Sequence, residues 1–87
     1  MRYRYTADVE AIQFTGDNHD EIKQFVREHA SVEHVSYRQI GRENPAEFDA
    51  PNGFRMTVMP QDWVMSLDRN VDVVSDDWFG RHCIPLD

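Results

Sequence analysis

Only one stretch of this chain carries apolar residues at helical spacing over several turns. In residues 19–30, Ile22, Phe25, Val26, His29 and Ala30 fall at i, i+3, i+4, i+7 and i+8, while Glu21, Lys23, Gln24, Arg27 and Glu28 occupy the opposite face. That pattern dictates a helix with one buried side. Asn18 followed by Glu21 reads as a capping box, and Asp17 and Asp20 favour the positive end of the helix dipole. Elsewhere the apolar residues recur at the two-residue period of strands, so a single helix must cover a sheet.

The strand segments are uneven. "YRYTADVEAIQF" reads as one strand in which Tyr3, Tyr5, Ala7 and Val9 share a face and Ile12 and Phe14 take the other. The parity switch requires either a bulge near Glu10-Ala11 or a strand buried on different faces at its two ends. "SVEHVSYRQI" reads as a second strand with weak alternation. Residues 41–53, "GRENPAEFDAPNG", form a loop by composition. "FRMTVM" alternates cleanly, with Phe54, Met56 and Val58 on one side, and in "WVMSL" Trp63, Met65 and Leu67 share a face.

Between these last two segments Pro60 takes the second position of a four-residue turn with Gln61 third, acceptable in type I, and Asp62 caps it through backbone N–H groups. Trp63 then reads as a core anchor of a hairpin across Pro60. Asp68-Arg69-Asn70 turns the chain into "VDVV", and Ser75 caps one helical turn, Asp76 to Phe79, stopped by Gly80. The expected order is β-α-β-β-β-β with a short C-terminal helical turn, the last three strands forming a meander. This is an α+β fold: one main helix on a largely antiparallel sheet, in a single domain over residues 1–87.

Catalytic and metal-binding patterns are missing. Four histidines and one cysteine include no pair at the spacing of a helical or C-x-x-C zinc site, so neither metal nor cofactor is expected. His82 and Cys83 are sequence neighbours, whereas a Cys/His catalytic pair meets across a fold. Ser31, Ser36, Ser66 and Ser75 lack a nucleophile-elbow context, and the four glycines never gather into a phosphate cradle. Non-enzymatic function is the expectation.

Charge narrows the partner. Sixteen acids face nine bases, a net charge of −7, and residues 43–87 hold nine acids against three bases. Such a field repels nucleic acid and anionic membranes and speeds encounter with a basic protein. "RYRY" at residues 2–5 interleaves bases and aromatics, yet without a larger basic patch direct nucleic-acid binding is not expected; Arg2 and Arg4 are expected to pair with acids on a neighbouring strand. The candidate partner-binding acids are Glu43, Glu47 and Asp49 on the long loop, then Asp68, Asp72, Asp76 and Asp77. Trp78, Phe79, Ile84 and Leu86 are candidates for an exposed apolar patch.

Two stretches resemble a known group. "VEAIQFTGDNHDEIKQFV", residues 9–26, is similar to the opening of small uncharacterised proteins of tailed bacteriophages and prophages, in which an E-A-I-Q strand, T-G-D-N and an acidic amphipathic helix follow one another. "TVMPQDWVM", residues 57–65, resembles their later T-V-x-P-G-D-W motif in the same order, except that Gln61 stands where that motif usually has glycine. "SLDRNVDVVSDDWF" keeps that group's strand-turn-strand outline and Phe79 without its glycines and proline, and residues 33–53 carry no part of the likeness. The resemblance implies a phage-type origin and a compact α+β fold, and brings no catalytic residue.

The combined expectation is an acidic protein that binds and inhibits or modulates a host or phage protein, possible targets being a nucleic-acid-binding enzyme or a defence complex. The alternative is a virion accessory protein acting as a homo-oligomer. "MRYRYTADVE" lacks the apolar core of an export signal, and no apolar run is of membrane length. The expected location is the host bacterial cytoplasm, or a virion assembled there.

Overall fold

A computed structural model of the protein describes residues 2–4, 8–39, 44–51, 53–67 and 70–85. The elements in chain order begin with β1 (Arg2–Arg4), β2 (Asp8–Gln13), α1 (His19–His29), β3 (Ser36–Arg38) and β4 (Ala46–Asp49). They continue with β5 (Arg55–Val58), β6 (Trp63–Leu67), β7 (Asn70–Val74), α2 (Asp76–His82) and β8 (Ile84–Pro85). Five strands form one sheet in the order β7-β6-β2-β1-β8, and three form another in the order β3-β4-β5. Every strand pair among the described residues is antiparallel. The fold is α+β, as the single helical stripe among strand segments requires.

The large sheet is buried on both faces at its centre. On one side Phe14 and Val64 join Ile22, Phe25 and Val26 of α1 and Ala46, Phe48, Met56 and Val58 of the small sheet. On the other, Val9, Ala11 and Met65 pack against Phe79 and Cys83 at α2, with Trp63, Val74 and Trp78 partly buried around them. Adjacent residues Val64 and Met65 are 0% and 1% exposed, which only a central strand covered on both faces permits. The same geometry explains the parity switch in β2, since Val9 and Ala11 face one core and Ile12 and Phe14 the other. The strand is buried on different faces at its two ends. Opposite Glu10, the Ser66 hydroxyl accepts from the Glu10 N–H at 3.0 Å and donates to its carbonyl at 3.2 Å, standing in for a ladder bond between backbones.

Several expectations need correction. The opening segment is two strands: β1 folds back on β2, with Arg2 opposite Glu10 and Arg4 opposite Asp8 in register. That register sets each arginine opposite an acid of the neighbouring strand, while the side chains of Arg2, Arg4 and Asp8 lie outside the described residues. The final meander is not formed. β5 pairs with β4, whereas β6 pairs with β2 and β7, so the chain changes sheets at Pro60. A one-sided strand such as β5, with Met56 and Val58 buried and Arg55 and Thr57 exposed, suits the small sheet. The two-sided β6 suits the centre of the large one. The hairpin lies one connection later, between β6 and β7.

The loop at residues 41–53 contains a strand, β4, in which Ala46 and Phe48 are buried and Glu47 is exposed. In the segment before it only Ser36–Arg38 is extended, and Val32 and Val35 enter the core ahead of that strand. Asn18 does sit at the N-cap of α1, but its side chain makes no cap hydrogen bond. Instead it accepts from the Thr15 N–H at 2.8 Å and donates to the Gln13 carbonyl at 2.8 Å, holding the preceding turn. Ser75 caps α2 as expected, accepting from the Trp78 N–H at 3.1 Å, but the helix runs through Gly80 to His82.

The turn at Pro60 is closed by Asp62 N–H donating to the Met59 carbonyl at 3.0 Å. The Asp62 carboxylate accepts from the Met59 N–H at 3.0 Å, as the turn-capping reading requires. The turn is not type I, because Gln61 has φ of 80°, the left-handed value that type II demands at its third position. Phe14 and this turn exchange backbone bonds, Phe14 N–H to Asp62 at 2.9 Å and Gln61 N–H to Phe14 at 2.7 Å, and these fix the conformation. Trp63 is half-buried, stacked on Phe79 with ring centroids 3.9 Å apart and planes at 4°.

Candidate functional site

The expected acids do not act as one free surface. Glu47 and Asp49 lie on β4, on the solvent face of the small sheet. Their cross-strand neighbours are arginines: Arg38 opposite Glu47 and Arg55 opposite Asp49. Arg38 Nη2 lies 2.6 Å from Glu47 Oε2, and Arg55 Nε lies 3.8 Å from Asp49 Oδ1. The hydrogen bond from Arg38, and after it the guanidinium charge, holds the Glu47 carboxyl below its usual range. This face, with a shallow cavity of about 180 Å³ bounded by the two ion pairs, is charge-balanced.

The remaining acids lie on β7 and α2. Asp72 is exposed on β7, and its Oδ1 accepts from the Val73 N–H at 2.9 Å. Asp76 Oδ1 accepts from Trp63 Nε1 at 2.9 Å and Gln13 Nε2 at 3.3 Å, tying α2 to the large sheet. Asp77 pairs with Arg81 one helical turn later at 2.5 Å. Glu43, Asp68 and Leu86 lie outside the described residues, as does the side chain of Ile84. In the expected apolar patch Phe79 is buried at 5% exposure and Trp78 is half-buried against the second core, so neither forms an open surface; burial of aromatic area against β6 outweighs exposure there.

The groups with chemical potential have structural work. The Ser66 hydroxyl serves the β2 backbone and the Ser75 hydroxyl caps α2. Cys83 is buried, and burial pushes its thiol up, away from the reactive thiolate. His19 Nε2 meets Gln39 Oε1 at 2.7 Å while its ring stacks on Tyr37, centroids 4.6 Å apart. Among the described residues no three His, Cys, Asp or Glu side chains are grouped to hold a metal ion. No helix among them is long and apolar enough to cross a membrane.

What the pattern reading missed is a groove of about 550 Å³ between α1 and β2. Its apolar part is Ala11, Ile12 and Phe25, with Trp63 at one end, and its polar lining includes Glu10, Glu21 and Glu28. The His29 ring tilts over Phe25, centroids 4.3 Å apart. Glu21 and Glu28 are exposed and lie seven residues apart on α1, which sets them on one side of the helix with Phe25 between. The sequence signal was available, since the stripe named Phe25 and His29 and the flanking glutamates are on either side.

No family model, curated protein or solved structure matches this chain. Its function is therefore argued from its own surface.

Proposed function

We propose that this chain is a non-catalytic acidic binding protein of phage type, which modulates or inhibits a host protein by occupying a basic surface. The observation that carries this reading is a charge of −7 on 87 residues, in a domain whose Ser66, Ser75, Asp76 and Cys83 are engaged in structural contacts. A net negative field raises the encounter rate with a cationic partner and repels nucleic acid. A basic groove that normally holds nucleic acid, in an enzyme or a defence complex, is the surface such a protein competes for. The likeness of residues 9–26 and 57–65 to small phage proteins supports the phage origin and action in the host bacterial cytoplasm.

Capture from a bacterial lysate at low salt tests the reading, with recovery of a basic partner that is eluted by salt as the expected result. Recovery of nothing, or of partners indifferent to salt, overturns it.

Self-assembly through a sheet edge is the second reading, and the edges of the large sheet speak against it. Alternation along β6 turns the Val71 and Val73 N–H groups of β7 outward. Asn70 Oδ1 and Asp72 Oδ1 accept from those two groups at 2.9 Å each, so the donors that a further strand needs are taken. At the other edge β8 contains Pro85, which has no N–H. Light scattering over a concentration series separates the readings: a monomer at micromolar concentration favours the first, a stable oligomer the second.

A further inference from the structure

We infer that the outer edge of β5 is a self-pairing surface, on which a second copy of this chain lays its own β5 antiparallel across a two-fold axis. The two small sheets then join into one. Such pairing is independent of the basic partner proposed above.

The ladder between β4 and β5 decides which backbone groups face out. The Ala50 N–H donates to the Phe54 carbonyl at 3.0 Å, so in this register the bonded pairs recur at Phe48–Met56 and Ala46–Val58. Arg55 and Thr57, opposite Asp49 and Glu47, therefore turn their N–H and carbonyl groups away from β4. Both residues are exposed, and among the described residues nothing bonds those four groups. Val71 and Val73 of β7 pack instead against the core that holds Met56 and Val58.

The other described edges are closed or shorter. Asn70 and Asp72 take the outward donors of β7, and β8 contains Pro85. In β3 only Tyr37 turns outward, because Phe48 opposite it bonds to β5, and the His19 ring of α1 stacks on Tyr37. Past Thr57 the β5 edge ends, since the Met59 N–H and carbonyl both bond to Asp62.

These limits select the occupant and its register. Antiparallel pairing sets outward residues against outward residues. Arg55 opposite Arg55 opposes like charges and brings Thr57 to Gly53, whose N–H is already given to Ala50. Thr57 opposite Thr57 brings Arg55 to Met59, whose N–H is taken. Arg55 opposite Thr57 of the second copy makes four bonds about an axis through Met56. Arg55 then reaches across that threonine towards Glu47 of the second copy, and its own hold on Asp49 is loose, at 3.8 Å with the Arg55 side chain 87% exposed. The pair is closed, because each β5 has one outer edge. Two copies at −7 repel each other at long range and the contact is short, so the chain is a monomer at micromolar concentration and pairs towards millimolar.

Sedimentation and amide chemical shifts of the full chain, followed from micromolar to millimolar concentration at low and high salt, test the pairing. The expected result is a monomer–dimer equilibrium with the largest shifts at Arg55 and Thr57, strengthened by salt as the repulsion is screened. Salt has the opposite effect on capture of a basic partner, so the two proposals fail separately. Thr57→Pro removes an outward N–H that β4 does not use and weakens the dimer about tenfold. Cross-linking reads the register: Arg55→Cys mixed with Thr57→Cys forms a disulfide between copies faster than either variant with itself, while Cys83 stays buried. A monomer at every concentration leaves the edge to a strand of another protein and overturns the inference. So do shifts centred on β3, β7 or β8, an undiminished Thr57→Pro dimer, or faster cross-linking of either cysteine variant with itself.

Discussion

Replacing Gln61 by glycine will stabilise this fold, although it removes a side chain. Gln61 has φ of 80°, and the turn is clamped there by its N–H bond to Phe14 and by the Asp62–Met59 bond. A non-glycine residue in the left-handed region costs about 1–2 kcal/mol. Glycine removes that cost and returns about 0.5–1 kcal/mol of it through the greater freedom of the unfolded chain. The side-chain loss is small, because the Gln61 Oε1 contact from Gln13 is exposed and 3.4 Å long, while the shorter 3.0 Å bond from Gln13 goes to the Gln61 carbonyl and survives. The net gain is about 0.5–1 kcal/mol, a rise in Tm of roughly 2–8 °C for a domain of this size. Urea and thermal denaturation measure it, with Gln61→Ala, which keeps the Cβ and the strain, as the control that stays near wild type. A glycine variant no more stable than the alanine variant refutes the reasoning, and with it the left-handed turn that swings the chain from the small sheet into the large one.

Three other perturbations follow from the contacts described. Ser66→Ala removes a half-buried hydroxyl that bonds both backbone groups of Glu10, and the loss of about 1–2 kcal/mol should appear as a lower urea midpoint with unchanged slope. The Glu47 carboxyl titrates below its usual range because Arg38 favours the charged form, so this group's contribution to stability is present above the unfolded value and fades as pH falls through the folded one. Arg38→Gln should return the Glu47 midpoint, read by NMR titration, upward towards normal. Asn70→Ala/Asp72→Ala frees the two outward N–H groups of β7, and growth of higher species over days in light scattering, absent in wild type, is the expected outcome.

The helix and the alternating strands were legible because each carries a period that only one element satisfies. Ile22, Phe25 and Val26 are buried as the stripe requires, and Met56 and Val58 as the alternation requires. Strand partners were not legible. Chain proximity across Pro60 argued for a hairpin of β5 with β6, and what decides otherwise is that Val64 and Met65 both need cover, a demand met only next to β2. β4 was hidden by its flanks, since Pro45 and Pro51 look like loop while Ala46 and Phe48 carry the alternation in only four residues. Asn18 shows the same limit at the scale of one side chain, for its position at the helix start was readable and its bonds to Thr15 and Gln13 were not. Acid counting located a charge but not its compensation: Arg38 and Arg55 come opposite Glu47 and Asp49 only once the small sheet pairs. The groove depended on which residues of α1 and β2 come together, which no local pattern encodes.

The central claim is that the protein acts by binding a basic partner through its net negative charge. Quantitative mass spectrometry of proteins captured by wild type from one bacterial lysate, at low and at high salt side by side, tests it most directly. The expected result is a basic protein enriched at low salt and depleted about tenfold at high salt. Equal enrichment at both salt concentrations, or no basic protein at either, contradicts it.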